Sequence, residues 1–238
     1  MPKSPIELAD VHLDLLYDRD EAGLLLRSRD PDVSAPLLHL LRTTEGNRWF
    51  LSAALSARER SKLVDALTAE PVIRDLGEME NRPPVLEGVR PLLATDRSRL
   101  KEERGPAFWF GEALPEALGT AEILGESAHV RTVPELSWIR ATTARERPLS
   151  VARNSAGEVV AVCHSARSTV SAAEAGVETA RDYRGRDLAG AVVVEWARAV
   201  LAEGRLPIYS TQWTNEPSLA VARKLGLTMF GEDYQIGG

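Results

Sequence analysis

Val177-Glu178-Thr179-Ala180-Arg181-Asp182-Tyr183-Arg184-Gly185-Arg186-Asp187-Leu188-Ala189 is the stretch on which the reading of this chain turns. A strand runs into a loop of arginine and glycine, and the loop opens a helix. A helix start offers backbone N–H groups without intrahelical partners and the positive end of the helix dipole, a combination that suits a phosphate or pyrophosphate. Arg184 and Arg186 add positive charge beside it. The pattern predicts a site for an anionic ligand at the start of a helix.

The flanking sequence supplies a frame for that loop. Leu149–Arg153 and Val159–His164 read as two strands joined by the turn Asn154-Ser155-Ala156-Gly157, and Ala172–Thr179 as a third strand. Leu188–Glu203 reads as a helix with a narrow polar stripe, Glu195, Arg198 and Ala202, and a broad apolar face that belongs against a sheet. Gly204 stops it. Leu206–Trp213 is a further strand, Pro217–Leu225 a short helix ended by Gly226, and Leu227–Tyr234 a last strand. This order predicts an α/β architecture, a mixed sheet under two helices.

Upstream, Val11–Tyr17 and Leu24–Arg27 read as a strand pair, and Leu37–Thr43 with Arg48–Leu51 as a second hairpin around Thr44-Glu45-Gly46-Asn47. Ser56-Ala57-Arg58-Glu59 has capping-box spacing and predicts a helix start. Asn81-Arg82-Pro83-Pro84 is the best linker, because each proline disfavours helix in the residue before it. The expected division is therefore a small α+β domain over residues 1–80 and a larger domain over 85–238. A mixed helical stretch is expected after the linker as far as Arg104, including the mixed-charge block Arg97–Arg104. The rings of Phe108-Trp109-Phe110 follow on a strand, and short helices and loops fill residues 111–145.

Composition narrows the function classes. Apolar residues at 44% and charged residues at 27% suffice for a soluble folded core. A net charge of −6 without any basic run disfavours a nucleic-acid binder. Cys163 is the only cysteine, so no internal disulfide or cysteine-based zinc cluster can form, and His12, His39, His129 and His164 lack ligand spacing. No metal is expected. The acidic opening of the chain does not read as a signal peptide, and no apolar run approaches the ~18 residues that cross a bilayer, so a cytoplasmic protein without membrane association is expected. Only four of the 29 basic residues are lysine, which reads first as codon bias.

Arg184-Gly185-Arg186-Asp187-Leu188-Ala189 resembles the acyl-CoA-binding motif of the GNAT superfamily of N-acetyltransferases, R/Q-x-x-G-x-G/A after a strand. Asn215-Glu216-Pro217-Ser218 and Arg223-Lys224-Leu225-Gly226-Leu227 are similar to that superfamily's C-terminal signature. Cys163–Arg167 and Glu174–Thr179 resemble a bacterial subgroup, as do the Leu15–Asp18 opening and the Glu45–Trp49 hairpin. The resemblance is strong over 149–236, suggestive over 11–71, and vague between.

The resemblance implies a GNAT-like acyltransferase fold with a small N-terminal α+β domain. It implies acetyl-CoA as cosubstrate, held where the parallel strands Ala172–Thr179 and Leu206–Trp213 part. Backbone of Val177, Glu178 and Thr179 would meet the thioester and pantetheine. Arg184, Gly185, Arg186, Asp187, Leu188 and Ala189 would meet the pyrophosphate, and Asn215 and Ser218 the pantetheine or phosphate end. The implied activity is direct acetyl transfer to a small-molecule or peptide amine, with homodimerisation left open. Glu178, Glu174 and Tyr209 are the candidate catalytic groups. Glu174 and Glu178 share one face of their strand by its period of two, and each has a solvated or structural role as its alternative. Tyr209 has core packing as its alternative. Cys163 and His164 point to opposite faces, so they form no local pair.

Two departures from the motif stand out. Asp187 occupies the place of its central glycine, where a carboxylate faces like charge and could itself cap the N–H groups a phosphate needs. Such repulsion costs on the order of 1–3 kcal/mol in a poorly solvated site and far less if exposed. Ala222 occupies the place of the usual tyrosine acid. Both motivate an alternative: a catalytically weak or inactive acyl-CoA-binding or sensory module, or a fold kept for protein interaction alone.

Overall fold

The computed structural model describes residues 3–30, 32–93, 100–111, 113–116, 119–125, 130–141 and 144–237, without the side chain of Arg145. His129 and the 97–99 portion of the charge block lie outside the described residues. In chain order the elements are helix α1 (Pro5–Leu16), strands β1 (Tyr17–Arg19), β2 (Leu25–Ser28), β3 (Leu38–Thr43) and β4 (Gly46–Leu51), helices α2 (Ala57–Leu67) and α3 (Leu86–Leu93), strands β5 (Lys101–Trp109), β6 (Glu122–Ile123), β7 (Leu149–Arg153), β8 (Val159–Ser168) and β9 (Ala172–Thr179), helix α4 (Leu188–Ala202), strand β10 (Leu206–Ser210), helix α5 (Glu216–Lys224) and strand β11 (Thr228–Gly237). They fall into two compact units: unit 1 comprises Met1–Phe108, Ser210–Glu216 and Met229–Gly238, and unit 2 comprises Trp109–Tyr209 and Pro217–Thr228.

In unit 1 the strands stand in the order β4-β3-β11-β5, and β1 pairs with β2 as a separate antiparallel ribbon. Of the two expected hairpins the second forms, with Thr43 facing Gly46 at its end; the first is replaced by the shorter ribbon of Tyr17–Arg19 with Leu25–Ser28. Ser56 and Glu59 make the reciprocal bonds of a capping box at the start of α2. The segment read as a strand over Val11–Tyr17 is instead the end of α1. Ser4 caps that helix reciprocally with Glu7 and a proline stands in its first turn, so the backbone is committed to a helix before Val11 is reached. Its buried face carries Leu8, Ala9, His12, Leu13, Leu15 and Leu16.

The expected helical stretch to Arg104 ends sooner, because Lys101–Arg104 belong to β5. Glu102 accepts a bond from the Tyr234 hydroxyl and Arg104 pairs with Glu232, so strand neighbours satisfy the inward charges of this segment. At the centre of unit 1, Arg42 donates to Glu232 through Nε at 3.0 Å and reaches the carbonyl of Met79. Burial raises the Glu232 carboxyl, and Arg42, Trp213 and Arg104 work against that.

In unit 2 the strands stand in the order β10-β9-β8-β7-β6, with β10 parallel to β9 and the other pairs antiparallel. This is the expected mixed sheet. Helix α4 packs on β7, β8 and β9 with Ala191, Val192, Val193, Val194, Trp196, Ala197 and Val200 buried. Its Trp196 Nε1 donates to Ser165 Oγ at 3.1 Å, which identifies the α4 side of β8. The opposite side holds a second core of Leu124, Leu136, Ile139, Leu149, Val151, Val159 and Val162. Strand β10 ends at Ser210, three residues short of the expected Trp213. Among the described residues no helix is long and apolar enough to cross a membrane.

Candidate functional site

Strands β9 and β10 stay together only briefly. Leu206, Pro207 and Ile208 pair with Ala172, Ala173 and Glu174, while β9 continues to Thr179. The backbone of residues 175–179 on that edge is therefore not engaged by β10, and this is the stretch that holds Val177, Glu178 and Thr179. Thr179 Oγ1 is buried and has no hydrogen-bond partner. Such a hydroxyl is rare in a finished interior and marks a place where a further polar group fits.

The loop that follows is held by its own side chains. Arg184 Nε donates to the Thr179 carbonyl at 3.2 Å. Arg186 donates to the Asp182 carbonyl at 2.9 Å and lies over the Tyr183 ring at 5.0 Å. Gly185 and Asp187 both adopt positive φ, 71° and 62°, and Asp187 is the only non-glycine residue to do so among those described. Two left-handed residues in so short a stretch curl the backbone, and such curls favour anions. Leu188, Ala189 and Gly190 then form the first turn of α4, where N–H groups lack intrahelical partners.

Asp187 does not cap that turn. Its side chain makes no bond to the helix N–H groups, and its carboxylate pairs with Lys224 Nζ from the last turn of α5. The expectation of a competing cap is thus corrected: at positive φ the Asp187 side chain is turned to a cation, and the helix N-terminus stays open. Both partners are about half exposed.

The candidate catalytic groups part company. Glu174 is 2% exposed and sits 2.6 Å from Arg167 Nη1. Tyr209 is also 2% exposed, its hydroxyl donates to the Ser218 carbonyl at 3.3 Å, and burial pushes its pKa up to about 12. Ser218 lies at the third residue of α5, Asn215 immediately precedes that helix in the 210–216 segment of unit 1, and Ala222 is buried. Cys163 is buried, and burial holds its thiol well above the usual range. Glu178 alone of the three is exposed.

Sequence reasoning missed the surroundings of Glu178. Trp138, from the 3-10 segment Pro134–Ala141, donates its indole N–H to Glu178 Oε2 at 3.0 Å. Its ring meets that of His164 edge-on with centroids 4.9 Å apart. Glu135 of the same segment accepts from the Arg181 backbone N–H at 3.2 Å. The short segment thus binds the end of β9 on two sides. Burial lowers the His164 pKa, and Glu146, the Gly176 backbone and Glu178 oppose that shift.

Among the described residues no group of three or more histidine, cysteine, aspartate or glutamate side chains could hold a metal ion. The buried Thr179 hydroxyl, the left-handed turns and the uncapped helix start fit a ligand with a polar chain and an anionic end.

Residues 148–236 match the family model described as GNAT acetyltransferase. No curated protein matches. The solved structures that resemble the chain include a GNAT-family protein from Novosphingobium aromaticivorans (18% identity over 58% of this chain and 66% of that one, TM-score 0.44). A GCN5-related N-acetyltransferase-like protein from Streptococcus suis is similar at 18% identity over 85% and 84%, TM-score 0.44. A conserved protein of unknown function from Staphylococcus epidermidis is similar at 10% identity over 96% of each chain, TM-score 0.49.

Proposed function

We propose, from the match of residues 148–236 to the GNAT acetyltransferase family model, that the protein transfers an acetyl group from acetyl-CoA to an amine. The observation that carries the reading is the end of β9–β10 pairing at Glu174 and Ile208 beside an uncapped, left-handed loop. The cosubstrate supplies the acyl group: the amine nitrogen bonds to the thioester carbon as the C–S bond breaks, the amine gives up a proton, and the departing sulfur takes one. In this reading the backbone of Val177, Glu178 and Thr179 lines the reacting group, with the Thr179 hydroxyl as an additional donor. The N–H groups of Leu188 and Ala189, with Gly185, Asp187 and the guanidinium groups of Arg184 and Arg186, hold the pyrophosphate. Helix-start N–H groups are strong donors to such oxygens because the dipole and the hydrogen bonds act together.

Neither Tyr209 nor Ala222 offers an exposed acid to the departing sulfur. This favours, as a second reading, a module that binds an acyl-CoA without turning it over. One pair of measurements separates the two. Acetyl-CoA raises the melting temperature by mass action, about 2.7 kcal/mol of stabilisation at a hundredfold excess over Kd, and thiol release on addition of amines marks transfer. Stabilisation without thiol release selects the binding module. No stabilisation at millimolar acetyl-CoA overturns both.

A further inference from the structure

The β9 face turned away from α4 carries two carboxylates, Glu174 and Glu178, and the chain treats them differently. Glu174 is buried against Arg167. Glu178, four residues on and beyond the last β10 pair, is exposed; among the described residues it makes no ion pair, and it is held by a neutral donor, the Trp138 indole N–H. One carboxylate has its cation from within the chain. The other is oriented and left for a cation from outside. Resting on the acyltransferase reading above, we infer that Glu178, positioned by Trp138 and His164, docks the acceptor, and that the acceptor is an amine with no carboxylate beside it.

The support is built into the strands. His164 pairs across the ladder with Gly176, and a Cβ at residue 176 would lie 2.4 Å from the His164 Cε1 and 2.8 Å from its Nε2. Glycine at this position gives the imidazole its seat over β9, and the seated ring meets Trp138. His164 Nδ1 is buried without a partner. The imidazolium carries a proton on both nitrogens, so charging this ring would leave a buried N–H unsatisfied. The neutral form of the ring is therefore favoured, and it does not repel a docked ammonium. An amine flanked by its own carboxylate brings like charge to Glu178 and is disfavoured; an aliphatic ammonium pairs with it and lays its chain against Trp138.

The test uses the full chain, acetyl-CoA, and two acceptor types at neutral pH: putrescine or a lysine-containing peptide with blocked termini, and glycine. Thiol release is expected to favour the first type by about a hundredfold in kcat/KM, the scale set by a charge-assisted hydrogen bond in one case and like-charge repulsion in the other. Glu178→Gln brings the two types to within about tenfold through KM, and Trp138→Phe, which keeps the ring and removes the donor, does so in part. Calorimetry gives a readout without turnover: putrescine binding in the presence of CoA weakens in both variants, more in Glu178→Gln than in Trp138→Phe. Thiol release with unchanged preference in Glu178→Gln overturns this inference and leaves the acyltransferase reading intact. Acetyl-CoA binding without thiol release from any amine overturns that reading, and this inference with it.

Discussion

The carboxylate of Asp187 pairs with the ammonium of Lys224, while the first N–H groups of the helix that Asp187 begins receive no bond from it. The pair joins the start of α4 to the last turn of α5. It gives the Asp187 carboxylate a cation of its own. What remains is conformational: an L-residue held at φ 62° where glycine is at ease.

Asp187→Gly relieves that backbone cost, about 1 kcal/mol, and gives up a half-exposed ion pair worth a few tenths. The variant is expected to melt roughly 1–3 °C higher. Because the charge is exposed and already paired, acetyl-CoA affinity should move by less than about threefold. Calorimetric scans and titrations check both; a gain in affinity beyond tenfold would show the carboxylate facing the anion.

Gly176→Ala places a methyl group inside the His164 ring. The ring must leave its seat, at about 1–3 kcal/mol of overpacking. Replacing His164 with alanine in that background removes the obstacle, so the double variant should be more stable than the sum of the single effects by about 1 kcal/mol. A denaturation cycle measures this; strict additivity would separate the two positions.

Asp233 accepts from His12 Nε2 at 2.7 Å and from His39 Nε2 at 2.9 Å, and Tyr17 lies 3.0 Å from the other His39 nitrogen. Burial alone would raise the Asp233 carboxyl, but the two histidines outweigh it and hold it far below the usual range. A depressed carboxyl stabilises the fold above its unfolded pKa of about 3.9 and loses that contribution as pH falls through the folded value. Stability of the wild type should therefore drop as pH is lowered below about 4. Asp233→Asn should cost about 1–3 kcal/mol at neutral pH, by disrupting the buried hydrogen bonds from His12 and His39, and should flatten the acid limb. Urea titrations at a series of pH values test both.

Tyr209→Phe removes a hydroxyl that is buried and bonded to the Ser218 carbonyl. The expected cost is about 1 kcal/mol of stability, with turnover reduced less than threefold, on the order of 0.6 kcal/mol in the barrier. A fall of a hundredfold in kcat, with acetyl-CoA binding unchanged, would reinstate Tyr209 as the acid.

What could be read in advance was what short-range patterns encode. β9 has the limits expected from its sequence and α4 differs by one residue, while the second hairpin turns at Thr44-Glu45 with Gly46 and Asn47 already in β4. The error at Val11–Tyr17 came from the run His12-Leu13-Asp14-Leu15, whose alternation suits a strand, while the decisive Ser4 cap lay outside it. His12 is tolerated on a buried helix face because Asp233, 221 residues away, bonds it. Trp138 and Glu178 are 40 residues apart, and neither carries a local mark of the other. The loop was legible because a helix start is a local event; the surroundings of Glu178 were not, because contacts between distant segments compose them.

β11 stands between β3 and β5, and the His39–Asp233 bond spans 194 residues of chain. A strand supplied so late makes unit 1 a structure of high contact order, slow to form once its parts are available. During synthesis Leu38 and Leu40 have no Tyr234 or Ile236 to pair with. For that interval an unfilled strand edge is open to chaperones or to other chains. β11 therefore governs when β3 and β4 can complete their sheet, and loss of β11 would be felt in unit 1 before it is felt at the Arg184–Ala189 loop.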